Sequence, residues 1–182
     1  MSSLPTLPLL ALARHPLQMA HLLMLIGLPG SGKSTVAAQL ATQEGWQIVS
    51  TDRIREQLFG DAAIQGAWPQ VWAEVERQLR AIAQSSDGKV IYDATNVRRC
   101  HRRQFLTRAR SWGFDTIEAY WLDVPLAVCL ERNQRRDRQV PVPIICKMYR
   151  QLRGGSPSVK EGFDRLIRDR FPYPCNQLPN CH

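Results

Sequence analysis

The sequence predicts an α/β fold in which a parallel sheet of five strands is covered by helices on both faces, forming a three-layer sandwich. Two observations predict it. Short apolar runs alternate along the chain with segments of helical periodicity, and the first apolar run leads directly into a glycine-rich turn. Strands buried on both faces consist of continuous apolar residues, and the helices between parallel strands cover the sheet. With 182 residues, the chain has the size of one domain.

The first strand, loop and helix follow one another near the start of the chain. Residues 22–26 are a continuous apolar run that meets a glycine, as expected of a buried strand. From Lys33 to Glu44 the apolar residues form one helical stripe, which Gly45 ends. A second strand over 46–49 and a short helix over 52–59 repeat the pattern.

The remaining elements alternate in the same way. Helical spacing is clearest where Val71, Val75 and Leu79 recur after Pro69, a residue typical of a helix start. The predicted helices are 71–83, Arg99–Trp112, 126–136 and 144–152, and the predicted strands are 89–92, 116–122 and 162–167. This order predicts a doubly wound parallel sheet.

Both ends of the chain are predicted to lie outside the core. Residues 1–20 form an N-terminal extension, residues 21–172 the domain itself, and residues 173–182 a Pro-rich tail. The apolar start is interrupted by Pro5 and Pro8 and is too short to span a bilayer. The five cysteines form no CxxC pair, so we expect reduced thiols and a cytoplasmic protein without a membrane partner.

The composition is ordinary, but the charge is not. Hydrophobic residues make up 44% of the chain and charged residues 22%, as in chains that bury a single core. The formal net charge is +8 at pH 7. Such a charge is consistent with a polyanionic partner, because basic side chains release counterions from phosphates, and it is equally consistent with a solvated basic surface.

The turn after the first strand carries a phosphate-binding motif. GLPGSGKS at 27–34 matches GxxxxGK[ST] and lies between a buried strand and a helix, as the motif requires. Backbone N–H groups of such a loop point at phosphate oxygens, Lys33 reaches the β and γ phosphates, and the Ser34 hydroxyl ligates Mg²⁺. The sequence therefore predicts a P-loop NTPase that binds a nucleoside triphosphate, ATP, with Mg²⁺. The predicted nucleotide-binding residues are Gly27, Pro29, Gly30, Ser31, Gly32, Lys33, Ser34 and Thr35.

Carboxylates follow the second and third predicted strands. Asp52 either accepts the proton of an attacking hydroxyl or caps its helix. Arg55, on the same helical face, could hold a substrate phosphate. Asp93 ends a strand as a Walker B carboxylate does, so Ser34 and Asp93 are the predicted metal ligands and Asp93 also faces the substrate. Asn96 either contacts the substrate or caps a turn.

Arginines end the helix that follows Pro125. They are Arg132, Arg135, Arg136 and Arg138. A mobile arginine lid would neutralise the charge that develops on a transferred phosphoryl group, and we expect Arg132 and Arg136 to act in this way. Solvation and the negative end of the helix dipole are the alternative explanation.

Two further groups of residues are candidates for contact with the acceptor. Basic residues begin the helix after Asn96, where cations oppose the helix dipole, and a phosphate-rich substrate or a solvated face would account for them. This basic cluster comprises Arg98, Arg99, Arg102 and Arg103, of which Arg102 and Arg103 are the predicted substrate ligands. Trp68 and Trp72 could stack on a base, although packing in the core also explains their helical spacing.

With these residues assembled, the chain resembles the polynucleotide 5′-hydroxyl kinases of phage and bacterial end-healing enzymes, within the AAA-type P-loop kinases. The resemblance covers residues 22–152 and lies in GLPGSGKST, Asp52 with Arg55, DATN at 93–96, LDVPLAVCLERNQRR at 122–136 and VPVPIICKMY at 140–149. It implies that Asp52 is the general base for a 5′-hydroxyl, that Arg55 grips the neighbouring phosphate, and that Arg132 or Arg136 contacts the ATP phosphates. The chain lacks the DxDxT phosphatase motif, so we do not expect it to repair 3′ ends.

The expected function is ATP-dependent phosphorylation of the 5′-hydroxyl end of RNA or DNA. Its predicted catalytic residues are Lys33, Asp52, Arg132 and Arg136. Two alternatives stay open. P-loop kinases of metabolites, antibiotics or nucleotide sugars have overlapping motifs, and a nucleotide-gated RNA-binding ATPase would need no acceptor. The choice between RNA and DNA and the oligomeric state are likewise open.

Overall fold

The computed structural model describes residues 19–61, 66–85 and 88–171. The strands in these ranges are β1 (Ala20–Ile26), β2 (Gln47–Ser50), β3 (Lys89–Asp93), β4 (Phe114–Asp123) and β5 (Arg165–Arg170). The helices are α1 (Lys33–Glu44), α2 (Thr51–Phe59), α3 (Trp68–Ala83), α4 (Arg99–Trp112), α5 (Leu126–Gln134) and α6 (Val142–Gly154). The predicted succession of elements is confirmed.

Element boundaries differ from the prediction mainly near the C-terminus. The last strand is Arg165–Arg170 and not 162–167, because Gly162 closes a short 3-10 turn over Val159–Glu161 before the strand begins. Helix α5 ends at Gln134, two residues before its predicted end. The predicted N-terminal extension and Pro-rich tail lie almost entirely outside the described residues, so the domain limits stay predictions.

The five strands form one parallel sheet in the order β2-β3-β1-β4-β5. Since β1 lies between β3 and β4, the chain moves first to one side of β1 and later to the other. The carboxyl ends of all five strands share one edge of the sheet. At the point where the strand order reverses, the loops at this edge separate and form a crevice.

Strand β1 is apolar from Leu22 to Ile26 because each of its faces meets a different layer. Leu22, Met24 and Ile26 belong to the larger core cluster, together with residues of α3 and α4. Leu23 and Leu25 point to the opposite face, where they belong to a smaller cluster under α1. Burial on both faces explains why the run shows no alternation of polar and apolar residues. In the described ranges, no helix is long and apolar enough to cross a membrane.

Arg102 is a buried structural cation, and the prediction that it binds the substrate is wrong. Its side chain is 0% exposed, and it donates from Nε and Nη2 to the Glu161 carboxylate at 2.8 and 2.7 Å. The remaining hydrogen bonds go to the carbonyl oxygens of Asn96, Val97 and Gly155. Because all three guanidinium nitrogens are engaged, Arg102 ties the start of α4 to the connection between α6 and β5.

Replacing Arg102 should therefore test the fold. We expect Arg102→Ala to lower the free energy of unfolding by about 3–5 kcal/mol, because the buried Glu161 carboxylate would lose both short hydrogen bonds and keep only the contact with Arg99 Nε at 3.6 Å. Urea denaturation followed by circular dichroism measures the difference. Arg103→Ala, at an exposed position one residue on, is the matched control and should change stability by about 0.5 kcal/mol or less. Equal midpoints for the two variants would contradict the structural role of Arg102.

Candidate active site

A cleft of about 1110 Å³ opens where the strand order reverses, at the carboxyl edge of the sheet. The loop after β1 forms its floor, and the start of α2 and the end of β3 form one side. One face of α4, the residues after α5 and parts of α6 complete the wall. The cleft therefore lies at the position where parallel α/β sheets bind ligands.

The phosphate loop keeps its shape because glycines occupy its tightest positions. Gly30 and Gly32 have φ of +81° and +97°, in the left-handed region that favours glycine. A Cβ on Gly30 would lie 2.4 Å from the Cys129 carbonyl oxygen, so the loop packs directly on the backbone of α5. The predicted residues from Pro29 to Thr35 line the cleft. Gly27 lies behind this wall, where a Cβ would be 2.6 Å from Ser31 Oγ.

Lys33 is held inside the loop. Its Nζ donates to the Leu28 carbonyl oxygen at 2.8 Å, and the residue is 9% exposed. Burial lowers the pKa of Lys33 to about 8, although the nearby Asp93 carboxylate acts in the opposite direction. The Ser31 hydroxyl is also buried and lacks a hydrogen-bond partner among the described residues. A bound phosphate would place a negative charge beside the Lys33 ammonium and would accept a hydrogen bond from the Ser31 hydroxyl.

Ser34 and Asp93 form a pair of oxygen ligands that fits Mg²⁺. Ser34 Oγ donates to Asp93 Oδ2 at 3.0 Å, which brings the predicted hydroxyl and carboxylate together. Within the described ranges, no cluster of three or more His, Cys, Asp or Glu side chains could hold a metal ion by itself. Two protein oxygens are nevertheless sufficient for Mg²⁺, which keeps several waters and shares phosphate oxygens in kinase sites.

Asp52 stands in the first turn of α2 and faces the cleft with its side chain 52% exposed. It does not cap the helix, because Ser50 is the N-cap residue and no side-chain capping hydrogen bond is present. The helix-cap alternative is therefore wrong. The carboxylate accepts a hydrogen bond from Arg55 at 2.8 Å and pairs with Arg138 at 3.1 Å. These two cations orient the carboxylate from opposite parts of the chain.

Arg55 connects this carboxylate to an aromatic wall. Its side chain is 11% exposed, and its buried Nε has no partner among the described residues. The guanidinium carbon lies 5.8 Å from the centroid of the Trp68 ring. Packing in the core is confirmed for Trp72, which contacts Phe105. The same alternative, packing in the core, is wrong for Trp68, which is 51% exposed and lines the cleft.

The arginines after β4 divide into two groups. Arg132, Arg136 and Arg138 line the cleft, as the lid hypothesis requires. Arg135 points away: its side chain is 77% exposed and pairs with Glu131 on the same helix at 2.7 Å. The charge of Arg136 is close enough to Lys33 to contribute to lowering the pKa of that lysine. Arg136 therefore acts on the same region as the phosphate loop.

Helix α4 meets the cleft with a different face from the one predicted. Arg103 is exposed and is not among the residues that line the cleft, so the structure contradicts its predicted role. Asn96 lines the cleft but donates its side-chain amide to the Leu25 carbonyl oxygen at 2.7 Å, which favours the turn-capping alternative. The cleft-lining residues of α4 and its N-cap that sequence reasoning missed or set aside are Arg98, His101, Gln104 and Arg108. Their spacing of three and four residues, which places them on one face of the helix, is the feature of the sequence that could have indicated them.

The comparison with protein families agrees with this site. The family model AAA_33, described as an AAA domain, matches residues 22–151, and the chain belongs to this family of P-loop kinases. A curated relative, the shikimate kinase of Corynebacterium glutamicum, is 30% identical over 155 residues, which are 83% of this chain and 79% of the relative. The protein is an ATP-dependent kinase. P-loop kinases as a class use ATP and Mg²⁺.

Solved structures of several kinases share the fold. One chain in the structure of the Pnkp1/Rnl/Hen1 RNA repair complex superposes with a TM-score of 0.67 at 23% identity, over 83% of this chain and 48% of that chain. The chain thus spans about half the length of that protein. A gluconokinase from Sinorhizobium meliloti superposes with a TM-score of 0.54 at 18% identity, over 86% of this chain and 85% of the gluconokinase. At these identities the likeness concerns the fold alone.

The lowered pKa of Lys33 predicts proton uptake on nucleotide binding. At about pH 8.5 much of Lys33 is neutral in the free protein, and the phosphates of ATP should raise its pKa and recharge it. Calorimetric titration with ATP and Mg²⁺ in two buffers of different ionisation enthalpy should therefore show a net uptake of protons. Lys33→Met is the control and should lose this uptake. A binding enthalpy that is the same in both buffers for the wild-type protein would contradict the prediction.

Proposed function

We propose that the protein transfers the γ-phosphoryl group of ATP to the 5′-hydroxyl end of an RNA or DNA strand. The observation that supports this acceptor is the charge of the cleft, because cationic side chains greatly outnumber carboxylates there. The cations are Lys33, Arg55, Arg98, Arg108, Arg132, Arg136 and Arg138, and the carboxylates are Asp52, Asp93 and Asp169. A magnesium-bound triphosphate uses some of these cations, and the surplus favours an acceptor that is itself a polyanion.

On the donor side, the chain's own groups would bind and neutralise the triphosphate. The phosphate loop would surround it with backbone N–H groups, and Lys33 would contact its outer phosphates. Ser34 and Asp93 would hold Mg²⁺, which supplies positive charge to the β and γ phosphate oxygens when it is bound. Arg132 and Arg136 would stabilise the charge that develops as the bond between the γ phosphorus and the bridging oxygen breaks.

On the acceptor side, Asp52 is the proposed general base. Its carboxylate would take the proton of the 5′-hydroxyl as that oxygen forms a bond to the γ phosphorus and ADP leaves on the opposite side. Arg55 would hold Asp52 with one nitrogen while its buried, unpartnered Nε binds the phosphate that follows the terminal nucleoside. Catalysis would then come from positioning and electrostatics, as in other phosphoryl transfers.

A kinase of a small anionic metabolite is the second candidate. The 30% identity to a shikimate kinase, over most of both chains, favours it. A carboxylate on such a substrate would also pair with cleft arginines. The cleft charge favours the larger acceptor, because a strand with several phosphates would pair with more of the cleft cations than a single carboxylate would.

Transfer of labelled phosphate tests the proposal directly. We expect label from γ-labelled ATP with Mg²⁺ on short RNA and DNA strands that carry a 5′-hydroxyl, assayed beside shikimate and gluconate. Asp52→Asn should lower the transfer rate by about 10² to 10⁴, because an amide cannot accept the proton. Lys33→Ala should lose transfer. Arg135→Ala, an exposed arginine outside the cleft, is the matched control and should keep the wild-type rate.

The other outcomes identify the alternatives. Label on shikimate or gluconate and none on either nucleic acid would assign the protein to the metabolite kinases. Hydrolysis of ATP with no labelled acceptor in the presence of RNA would favour the RNA-binding ATPase. An unchanged rate in Asp52→Asn would overturn the assignment of the base, whichever acceptor is used.

A further inference from the structure

One face of α4, with its N-cap, extends the cleft beyond the catalytic carboxylate. Its residues are spaced by three, three and four positions, so they lie on one side of the helix, and all of them line the cleft. This set, called the α4 stripe, comprises Arg98, His101, Gln104 and Arg108. Within the described part of the chain, neither Arg98 nor Gln104 makes a side-chain hydrogen bond or ion pair, and Arg108 reaches Glu76 only at 4.0 Å.

Two tryptophans join the α4 stripe to the site of the general base. Trp68 and Trp72 are stacked, with ring centroids 6.3 Å apart. Arg55 lies 5.8 Å from the Trp68 centroid, and Arg108 lies 5.4 Å from the Trp72 centroid. Trp72 is anchored in the core, whereas Trp68 is 51% exposed. An exposed indole at the edge of a cationic cleft is a platform on which an unpaired base can stack.

The length of the α4 stripe exceeds what one nucleotide needs. From position 98 to position 108, a helix rises about 15 Å. Each strand of a DNA duplex rises about 3.4 Å per phosphate along the duplex axis, and an unwound strand spaces its phosphates farther apart. The stripe is therefore long enough for more than one nucleotide and for at most about four. The stripe carries cationic and hydrogen-bonding groups along the axis of α4. The phosphates of a strand that lies along this helix would supply the matching negative charge.

We propose that the α4 stripe and Trp68 form a second acceptor subsite, which binds the nucleotides that follow the 5′ end of a single strand. Phosphates lie along α4, and one base stacks on Trp68. The subsite rests on the proposed function, since it needs a nucleic acid acceptor. It makes the enzyme selective for unpaired strands longer than one nucleotide, because a base within a blunt duplex is not free to stack on Trp68.

A series of acceptors of increasing length tests this subsite. We expect KM to fall by about tenfold or more from a nucleoside 3′-monophosphate to a single-stranded hexanucleotide, and to rise again for a blunt duplex of the same sequence. Trp68→Ala should raise the KM for the hexanucleotide by about 5- to 150-fold, so that the KM ratio between the two single-stranded acceptors collapses. Trp68→Phe retains an aromatic face and should restore part of the ratio. Arg108→Ala should reduce both the ratio and its salt dependence.

Arg103→Ala is the matched control, since Arg103 lies on the same helix outside the cleft and has the same charge. It should keep the wild-type KM ratio. Equal KM values for all acceptor lengths, or equal ratios in Trp68→Ala and Arg103→Ala, would overturn the second subsite while leaving the end-phosphorylating activity intact. Failure to label any nucleic acid, with label on a metabolite, would instead overturn the proposed function and the subsite together.

Discussion

The close contact between the phosphate loop and α5 is the constraint on which the site depends. Gly30 approaches the Cys129 carbonyl oxygen so closely that no side chain could stand in its place. The loop can therefore rest directly on the helix that leads to the cleft arginines. Arg132 lies three residues after Cys129 on the same helical face, and Arg136 follows just beyond the helix end. One backbone contact thus places the phosphate loop beside the arginines of the cleft.

The parallel sheet brings the proposed catalytic and metal-binding groups together at this loop. Lys33, Asp52 and Asp93 come from segments after or at the ends of β1, β2 and β3, which lie side by side. Their carboxyl ends share one edge, so residues far apart in the chain meet without any long connection. Arg102 then fastens the segment after Asp93, because it binds the carbonyl oxygens of Asn96 and Val97 from inside the protein. A cation at the start of α4 is tolerated because the Glu161 carboxylate compensates it.

The donor side and the acceptor side of the cleft differ in how specific their residues are to one substrate. The phosphate loop, Lys33, Ser34 and Asp93 form the proposed donor side, and these parts are common to P-loop NTPases. In the proposed function the acceptor contacts Arg55, Trp68 and the α4 stripe, which belong to α2, α3 and α4. Fold similarity to kinases of different substrates cannot decide between acceptors, since function depends on such grafted residues.

The sequence alone determined the order of strands and helices, the phosphate loop, and the pairing of Ser34 with a carboxylate at the end of the third strand. The elements and the phosphate loop are local features, since a period of apolar residues or a short motif indicates each of them. Ser34 and Asp93 lie 59 residues apart, and their pairing was predicted because a P-loop serine and a Walker B carboxylate share Mg²⁺. The last strand was misplaced because a glycine-ended turn delays its start, a detail that hydrophobicity does not report.

Only the tertiary structure decided which basic residues face the cleft. Arg102 is buried because Glu161, 59 residues later, comes to meet it, and its neighbour Arg103 is turned to solvent. The same packing of α4 turns His101, Gln104 and Arg108 toward the cleft. Helical spacing shows which residues share a face, but the direction of that face depends on distant segments of the chain that pack against the helix.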